Sequence, residues 1–121
     1  MNMQFSREVM LLGTDGLARL QSAHVAVFGV GGVGSFTAEA LARAGVGTIT
    51  LVDNDTVCES NLNRQLIALH STIGQYKTDV MAARIRDINP GCRVNSLRAF
   101  YEEANKEDFF SLGFDYIADA I

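Results

Sequence analysis

A glycine-rich segment between an apolar run and a helix-like run constrains the fold of this chain more than any other feature. Residues 24–29 (HVAVFG) predict a short buried strand, and residues 35–45 (SFTAEALARAG) predict a helix that ends at Gly45. Between them lies the pattern Gly29-x-Gly31-Gly32-x-Gly34. Glycines let the main chain approach a ligand closely, and the start of a helix attracts anions. We therefore predict a phosphate-binding loop, with a plain tight turn as the alternative.

An acidic residue at the end of the next strand fits the same interpretation. Asp53 follows Gly29 by 24 residues and ends the predicted strand 48–53. That is roughly where a ribose-binding acid lies in a dinucleotide-binding fold. The glycine pattern alone does not choose between the phosphates of NAD and those of ATP.

Strand-like and helix-like runs alternate along the whole chain. Strands are predicted at 24–29, 48–53, 92–100 and 114–121, and helices at 35–45, 77–88 and 102–112. A helical segment over 1–23 precedes them and is interrupted at Gly13 and Gly16. A long polar loop covers 56–74, with at most one helical turn. Such alternation is typical of parallel strands joined by crossover helices. We predict an α/β fold with a Rossmann-like, doubly wound, mostly parallel sheet.

The last predicted strand, 114–121, is not followed by a helix that could cover it. Parallel sheets are normally covered on both faces. We therefore expect residues 1–121 to be the N-terminal, nucleotide-binding part of one domain whose C-terminal half is absent. The alternatives are a partner that covers the strand, or loose packing.

Composition excludes several classes of protein. The chain has 121 residues, enough for one domain, and its formal charge of −4 argues against binding nucleic acid over its whole surface. No apolar run approaches the ~20 residues that span a bilayer, and the first ten residues lack the apolar core of a signal peptide. Cys58 and Cys92 are 34 residues apart and form no CxxC pair, so we read them as reduced thiols in a cytoplasmic protein.

The polar stretch after Asp53 favours ATP over NAD. Residues 52–66 (VDNDTVCESNLNRQL) contain Asn61, Arg64 and Gln65, and Lys77 precedes the third helix. An arginine fork and a lysine suit a reaction that neutralises a triphosphate and releases pyrophosphate, whereas a dehydrogenase has no special need for them. Each residue alone could be an ordinary surface or turn residue, so the joint pattern carries the inference.

These motifs together resemble the ThiF/MoeB/HesA superfamily, the bacterial relatives of ubiquitin-activating enzymes. The residues that carry the resemblance are GVGGVG (29–34), VDNDTV (52–57), NLNRQ (61–65), Lys77 and FDYIADAI (114–121), in that order. It covers nearly the whole chain. Within the superfamily, the sequence is most similar to the branch that modifies tRNA.

The resemblance implies binding of ATP and Mg²⁺, and adenylation of a carboxylate with release of pyrophosphate. By position, it implies that Gly29, Gly31, Gly32 and Gly34 cradle the phosphates, and that Asp53, Asp55 and Gln65 contact the ribose and the rest of the nucleotide. It implies triphosphate contacts for Asn61, Arg64 and Lys77. Arg7 matches an arginine that reaches the partner's ATP across a homodimer. Asp119 fills the first position of the family's metal-binding D-x-x-D pattern, and the second would follow Ile121. We expect this chain alone to be inactive.

Four functions remain open at this point. The first is ATP-dependent cyclisation, by dehydration, of threonylcarbamoyladenosine in tRNA. Because the chain is acidic, its tRNA surface would lie in the absent half or in a patch formed by Arg84, Arg86, Arg93 and Arg98. The second is adenylation of the C-terminal glycine of a ubiquitin-like sulfur carrier. The others are an NAD-dependent dehydrogenase, and a non-catalytic or dimerisation module.

Overall fold

The structure is a computed structural model that describes residues 3–121. It contains the helices α1 (Ser6–Ser22), α2 (Gly32–Ala44), α3 (Lys77–Ile88) and α4 (Lys106–Phe110), the strands β1 (His24–Phe28), β2 (Thr48–Val52), β3 (Arg93–Leu97) and β4 (Tyr116–Asp119), and 3₁₀ turns at Met3–Phe5 and Glu59–Asn61. Within these residues, no helix is both long and apolar enough to cross a bilayer.

The four strands form one parallel sheet in the order β3-β2-β1-β4. The chain builds outward from β1 through β2 to β3, and then returns to place β4 on the other side of β1. This return is the switch point at which open α/β sheets bind ligands, beyond the carboxyl ends of the strands. The predicted doubly wound parallel sheet is confirmed.

Helices cover the two faces of the sheet unequally. On one face, α2 and α3 pack against alternate residues of the central strands, including Val25, Val27, Ile49 and Leu51. On the other face, Phe109 of α4 packs with a smaller group around Phe28. Because both faces of β1 and β2 are covered, each strand is buried at every residue after its first. The edge strand β4 keeps Tyr116 and Ile117 exposed, as expected for a final strand without a covering helix.

Several predicted elements are too long. Strand β3 ends at Leu97 because the chain turns there, with the Ala99 N–H donating to the Leu97 carbonyl at 2.9 Å. The predicted helix 102–112 shrinks to Lys106–Phe110, since the Asn105 side chain binds the Glu102 N–H and the Phe100 carbonyl and holds a turn before it. The predicted strand 114–121 shrinks to the four residues of β4, whose backbone pairs with β1.

The N-terminal half also differs in detail. Helix α2 begins at Gly32, three residues earlier than predicted, because the glycine segment itself forms its first turn. Helix α1 is interrupted at Gly13 alone, whereas the prediction also placed a break at Gly16. The predicted helical turn in the polar loop is present at Glu59–Asn61.

Candidate functional site

A cleft opens at the carboxyl edge of the sheet, where β1, β2, β3 and β4 end. It has a volume of about 220 Å³ and is lined by Gly29, Gly31, Val52, Asp53, Asn54, Asp55, Lys77, Ala99, Phe100, Tyr101, Ala120 and Ile121. Of the predicted site residues, it brings together Gly29, Gly31, Asp53, Asp55 and Lys77. Small-molecule pockets usually measure about 300–1,000 Å³, so the cleft suits part of a nucleotide rather than all of it.

Asp53 ties the glycine loop to the end of β2. Its Oδ2 accepts a hydrogen bond from the Val30 N–H at 2.8 Å, and its Oδ1 accepts one from the Asp55 N–H at 2.8 Å. Hydrogen bonds to a charged group are among the stronger ones in proteins. Asp53 therefore connects the glycine loop to the residues that follow β2. A carboxylate oxygen has two lone pairs, so each can also face a sugar hydroxyl.

Close backbone contacts explain two of the four glycines in the motif. Gly29 has φ +89°, and a methyl group built on it would lie 2.7 Å from the Ala120 carbonyl oxygen, just past β4. A methyl group on Gly34 would lie 1.6 Å from the Gly29 carbonyl oxygen. Glycine at these positions lets α2 start directly against the end of β1 and beside β4.

The start of α2 has no side-chain cap. Gly31 is the N-cap residue and makes no side-chain hydrogen bond, while a methyl group on Gly32 would meet no atom within 4 Å. The first N–H groups of a helix have no partner inside it, and they carry the positive end of its dipole. Because the N-cap lines the cleft, these groups offer an anion site at its rim.

Lys77 supplies a cation within the same cleft. The residue is only 7% exposed, and its Nζ lies 4.0 Å from Asp55 Oδ2. Its backbone N–H donates to the Asp55 carbonyl at 3.0 Å, and Thr56 pairs with Tyr76 in an antiparallel bridge. The loop between β2 and α3 is thereby closed at its base, which places Lys77 beside the end of β2 despite the connection over residues 53–76.

That loop presents two predicted amides in different ways. Asn61 is buried, and its Oδ1 accepts from the Cys58 N–H at 2.9 Å, so it holds the 3₁₀ turn together. Gln65 lies beside the glycine loop, with its Nε2 3.4 Å from the position of a methyl group on Gly31. Among residues 3–121, its buried Oε1 has no hydrogen-bond partner. An orphaned buried oxygen next to the N-cap of α2 fits a site built for a polar ligand.

Seven predicted residues do not line the cleft: Gly32, Gly34, Asn61 and Gln65 lie next to it on the glycine and polar loops, while Arg64, Arg7 and Asp119 point elsewhere. The exposed Arg64 donates from Nη1 to the Ser60 carbonyl at 3.0 Å and to Asn63 Oδ1 at 2.9 Å. Arg7 is exposed on α1, two residues after Phe5, which packs at the C-terminal end of α2 and thus at the opposite edge of the sheet. Asp119 is exposed at the end of β4, and residues 3–121 contain no cluster of three metal-ligating side chains.

The sequence interpretation missed the apolar wall of the cleft. Ala99, Phe100 and Tyr101 follow β3 and face the residues that follow β2 across the opening. Tyr101 packs on Phe28, with ring centroids 5.0 Å apart, so the smaller core supports the wall. Residues just after a parallel strand lie at the same edge as the glycine loop, but the predicted strand 92–100 placed Ala99 and Phe100 inside the strand, whereas β3 ends at Leu97.

Two of the four arginines of the predicted patch are paired with acidic neighbours. Arg84 binds Glu39, and Arg98 Nη2 lies 2.5 Å from Asp79 Oδ2 while its guanidinium stacks over the Tyr76 ring at 4.2 Å. The hydrogen bond from Arg84 lowers the pKa of the Glu39 carboxyl, and the charges of Arg84 and Arg43 act in the same direction. These arginines are engaged in structure rather than free for a polyanion.

Comparisons with known proteins find similar chains. A tRNA threonylcarbamoyladenosine dehydratase of Bacillus subtilis (strain 168) is 59% identical over 117 residues, which are 97% of this chain and 46% of that protein. The crystal structure of the Escherichia coli tRNA N6-threonylcarbamoyladenosine dehydratase in complex with ATP shares 47% identity and a TM-score of 0.95, over 98% of this chain and 49% of that one.

A more distant relative carries a different activity in its name. The probable adenylyltransferase/sulfurtransferase MoeZ of Mycobacterium tuberculosis is 42% identical over 118 residues, which are 96% of this chain and 30% of that protein. The chain spans about half the length of the curated dehydratases it matches. The family model described as the ThiF family matches residues 5–121, and the chain therefore belongs to the ThiF family.

Proposed function

We propose that this chain is the nucleotide-binding part of an ATP-dependent enzyme that adenylates a carboxylate, and that its substrate is threonylcarbamoyladenosine in tRNA. The observation that carries the proposal is the cleft in which Asp53, Lys77 and the uncapped start of α2 converge. The identity to proteins named as dehydratases of this nucleoside supports the substrate. A tRNA substrate also points to the cytoplasm as its location.

In this proposal the cleft holds the nucleoside part of ATP. Asp53 faces the ribose hydroxyls, and the wall formed by Ala99, Phe100 and Tyr101 packs against the base. Gly31, at the N-cap of α2, brings the helix N–H groups to the phosphates that extend beyond the cleft. The small volume of the cleft is consistent with this division.

Lys77 lines the cleft and is only 7% exposed, so its poorly solvated charge can attract the α-phosphate, which joins the nucleoside in the cleft to the phosphates beyond it. ATP supplies the activation, because AMP is a far better leaving group than hydroxide when the threonyl carboxylate closes into a ring with net loss of one water. Arg64 and Asn61 lie on the loop that borders the glycine segment, and we propose that the Arg64 guanidinium turns from its contacts with Ser60 and Asn63 to the triphosphate. Such planar donors stabilise the charge that develops during phosphoryl transfer.

We also propose Mg²⁺ as the counterion of the triphosphate. Protein sites for Mg²⁺ commonly supply one or two carboxylates, while phosphate oxygens and water complete the octahedron. Asp119, at the carboxyl end of β4, is the carboxylate that we assign to it.

We infer that two copies of the protein complete each site. Arg7 lies on one side of α1 among the exposed apolar residues Met3, Met10 and Leu11, a composition typical of an interface core. The start of α2 offers the exposed Val33 and Phe36 beside the glycine loop. Pairing these surfaces across a two-fold axis would bring Arg7 of one copy towards the phosphates bound by the other.

The alternative substrate is the C-terminal carboxylate of a ubiquitin-like sulfur carrier, favoured by the similarity to the adenylyltransferase/sulfurtransferase relative. It needs the same ATP chemistry in the same cleft, so the geometry of residues 3–121 does not separate the two substrates. A dehydrogenase is disfavoured, because the structure with a TM-score of 0.95 is that of an ATP complex.

The test uses the full-length enzyme with Mg²⁺, ATP and bulk tRNA. The tRNA is digested, and threonylcarbamoyladenosine is followed by mass spectrometry while released AMP is counted. We expect the nucleoside to lose one water for each AMP, and Lys77→Ala and Arg64→Ala to abolish the change. Lys106→Ala, at a lysine that pairs with Glu103 and does not line the cleft, should leave it intact. An unchanged nucleoside would refute the tRNA substrate. Pyrophosphate exchange that depends on a carrier's C-terminal glycine would then support the alternative.

A further inference from the structure

Helix α1 contains a sharp break at one residue. Gly13 has φ 74° and ψ 170°, a combination that is essentially restricted to glycine. A methyl group built on Gly13 would meet no atom within 4 Å. The backbone torsion, and not a lack of space, is therefore what requires glycine here.

The break folds the first part of α1 back onto the body of the protein. A methyl group built on Gly45 would lie 3.4 Å from Phe5 Cε1 and 3.0 Å from Leu17 Cδ1, so both side chains reach the same point. In a straight helix, twelve residues would separate their Cα atoms by about 18 Å. The torsion at Gly13 removes this separation and lets Phe5 and Leu17 pack side by side.

We call residues 3–12 the arm. Its base is held by the buried Phe5 and by a hydrogen bond from Gln4 Nε2 to the Ile88 carbonyl at 2.6 Å. The outward surface carries Arg7, with Met10 and Leu11 each more than 80% exposed. The direction in which this surface points depends on the backbone torsion at Gly13, where the arm joins the rest of α1.

We propose that Gly13 is a positioning residue, whose backbone torsion aims the arm so that Arg7 of one copy reaches the cleft of its partner. The inference rests on the proposed function, in which Arg7 acts across the interface. Any L-residue at position 13 would favour a straighter helix and would draw Phe5 away from Leu17. The Arg7 guanidinium would be unchanged, but it would no longer be directed towards the partner's cleft.

The first experiment measures the arm without any nucleotide. Amide hydrogen exchange is recorded for the full-length enzyme and its Gly13→Ala variant. We expect exchange over residues 5–12 to become faster by about tenfold, because forcing an L-residue into this torsion disfavours the folded arm. Gly113→Ala is the matched control, since Gly113 also has a positive φ, of 79°, with no atom within 4 Å of an added methyl group, but lies outside the arm. Unchanged exchange in Gly13→Ala would overturn the inference.

The second experiment tests whether Gly13→Ala lowers activity only when it is on the subunit whose Arg7 completes the partner's site. Mixing Arg7→Ala subunits with Lys77→Ala subunits gives dimers in which one intact cleft meets one intact arm, so we expect about a quarter of wild-type AMP release. Gly13→Ala added to the Lys77→Ala subunit, which donates the arm, should lower this recovered activity at least tenfold. The same change on the Arg7→Ala subunit should leave the activity within twofold, as should Gly113→Ala on either subunit.

Equal losses from Gly13→Ala on both subunits would indicate a general effect on folding and would overturn the inference. If the original mixture recovers no activity, the shared site of the proposed function fails instead. In that case the exchange experiment alone decides whether Gly13 orients the arm. The failures of the two ideas are therefore distinguishable.

Discussion

Replacing Asp53 by asparagine tests whether this side chain ties the glycine loop to the end of β2. In the structure, its two carboxylate oxygens each accept a backbone N–H at 2.8 Å, one from Val30 and one from Asp55. An asparagine side chain has one oxygen and one amide nitrogen. It can accept from only one of these donors, and its NH₂ group must face the other.

The expected loss follows from these two contacts. A hydrogen bond to a charged group contributes about 1.5–3 kcal/mol, and a neutral one about 0.5–1.5 kcal/mol. Asp53→Asn loses one charged bond and weakens the other, which predicts a decrease of about 2–4 kcal/mol in the free energy of unfolding. For a chain of this size, that corresponds to a fall in Tm on the order of 10 °C.

The assay is urea unfolding at pH 7 in the absence of nucleotide, so that any contact of Asp53 with a ribose does not contribute. Asp15→Asn, at an exposed aspartate of α1, is the matched control, and we expect it to change stability by less than about 0.5 kcal/mol. If Asp53→Asn is as stable as this control, Asp53 does not organise the loop. Its conformation must then be set elsewhere.

Three further predictions concern the cleft and its supports. Lys77→Met should abolish ATP-dependent pyrophosphate exchange, because it removes the charge of a residue that is only 7% exposed. It should keep Tm within a few degrees, because methionine retains the side-chain volume. Residual exchange above a few per cent would contradict the assigned role. Gly34→Ala should destabilise the protein by more than about 3 kcal/mol in urea, since its methyl group would lie 1.6 Å from a carbonyl oxygen, whereas Gly32→Ala, in open space, should not. Glu39→Gln should cost about 1 kcal/mol at pH 7. Arg84 lowers the pKa of Glu39 in the folded state. The stability that this ion pair adds is therefore present above the ordinary pKa of glutamate and is lost as pH falls through the lowered pKa. If Glu39→Gln destabilises the protein in urea equally at pH 3 and pH 7, the ion pair does not stabilise the fold.

The sequence was sufficient for the fold and for the centre of the site. The alternation of apolar runs and helical periods identifies a parallel sheet, and parallel strands place their carboxyl ends at one edge. Gly29, Asp53 and the start of α2 could therefore be assigned to one place before any coordinates were known. Lys77 could be assigned only through its motif, because the long loop over residues 53–76 brings it back to the end of β2.

What could not be predicted depends on contacts between distant segments. Nothing local in the stretch around Phe100 and Tyr101 marks it as a wall of the cleft; its position follows from where β3 ends and from packing against Phe28. The fold-back of α1 likewise depends on the meeting of Phe5 and Leu17 at Gly45. Local patterns show that Gly13 interrupts a helix, but they do not give the direction in which the chain leaves it.

The pairing of β4 with β1 has a consequence for the order in which the protein folds. Strand β1 ends at residue 28, but the carbonyl that packs against Gly29 belongs to Ala120, about ninety residues later in the chain. Contacts so far apart in sequence close slowly, because the intervening chain must first lose its freedom. On the ribosome, the first three strands can pair while the glycine loop still lacks one of its sides. We therefore expect the ability to retain a nucleotide to arise as one of the last events of folding, after most of the larger core has formed.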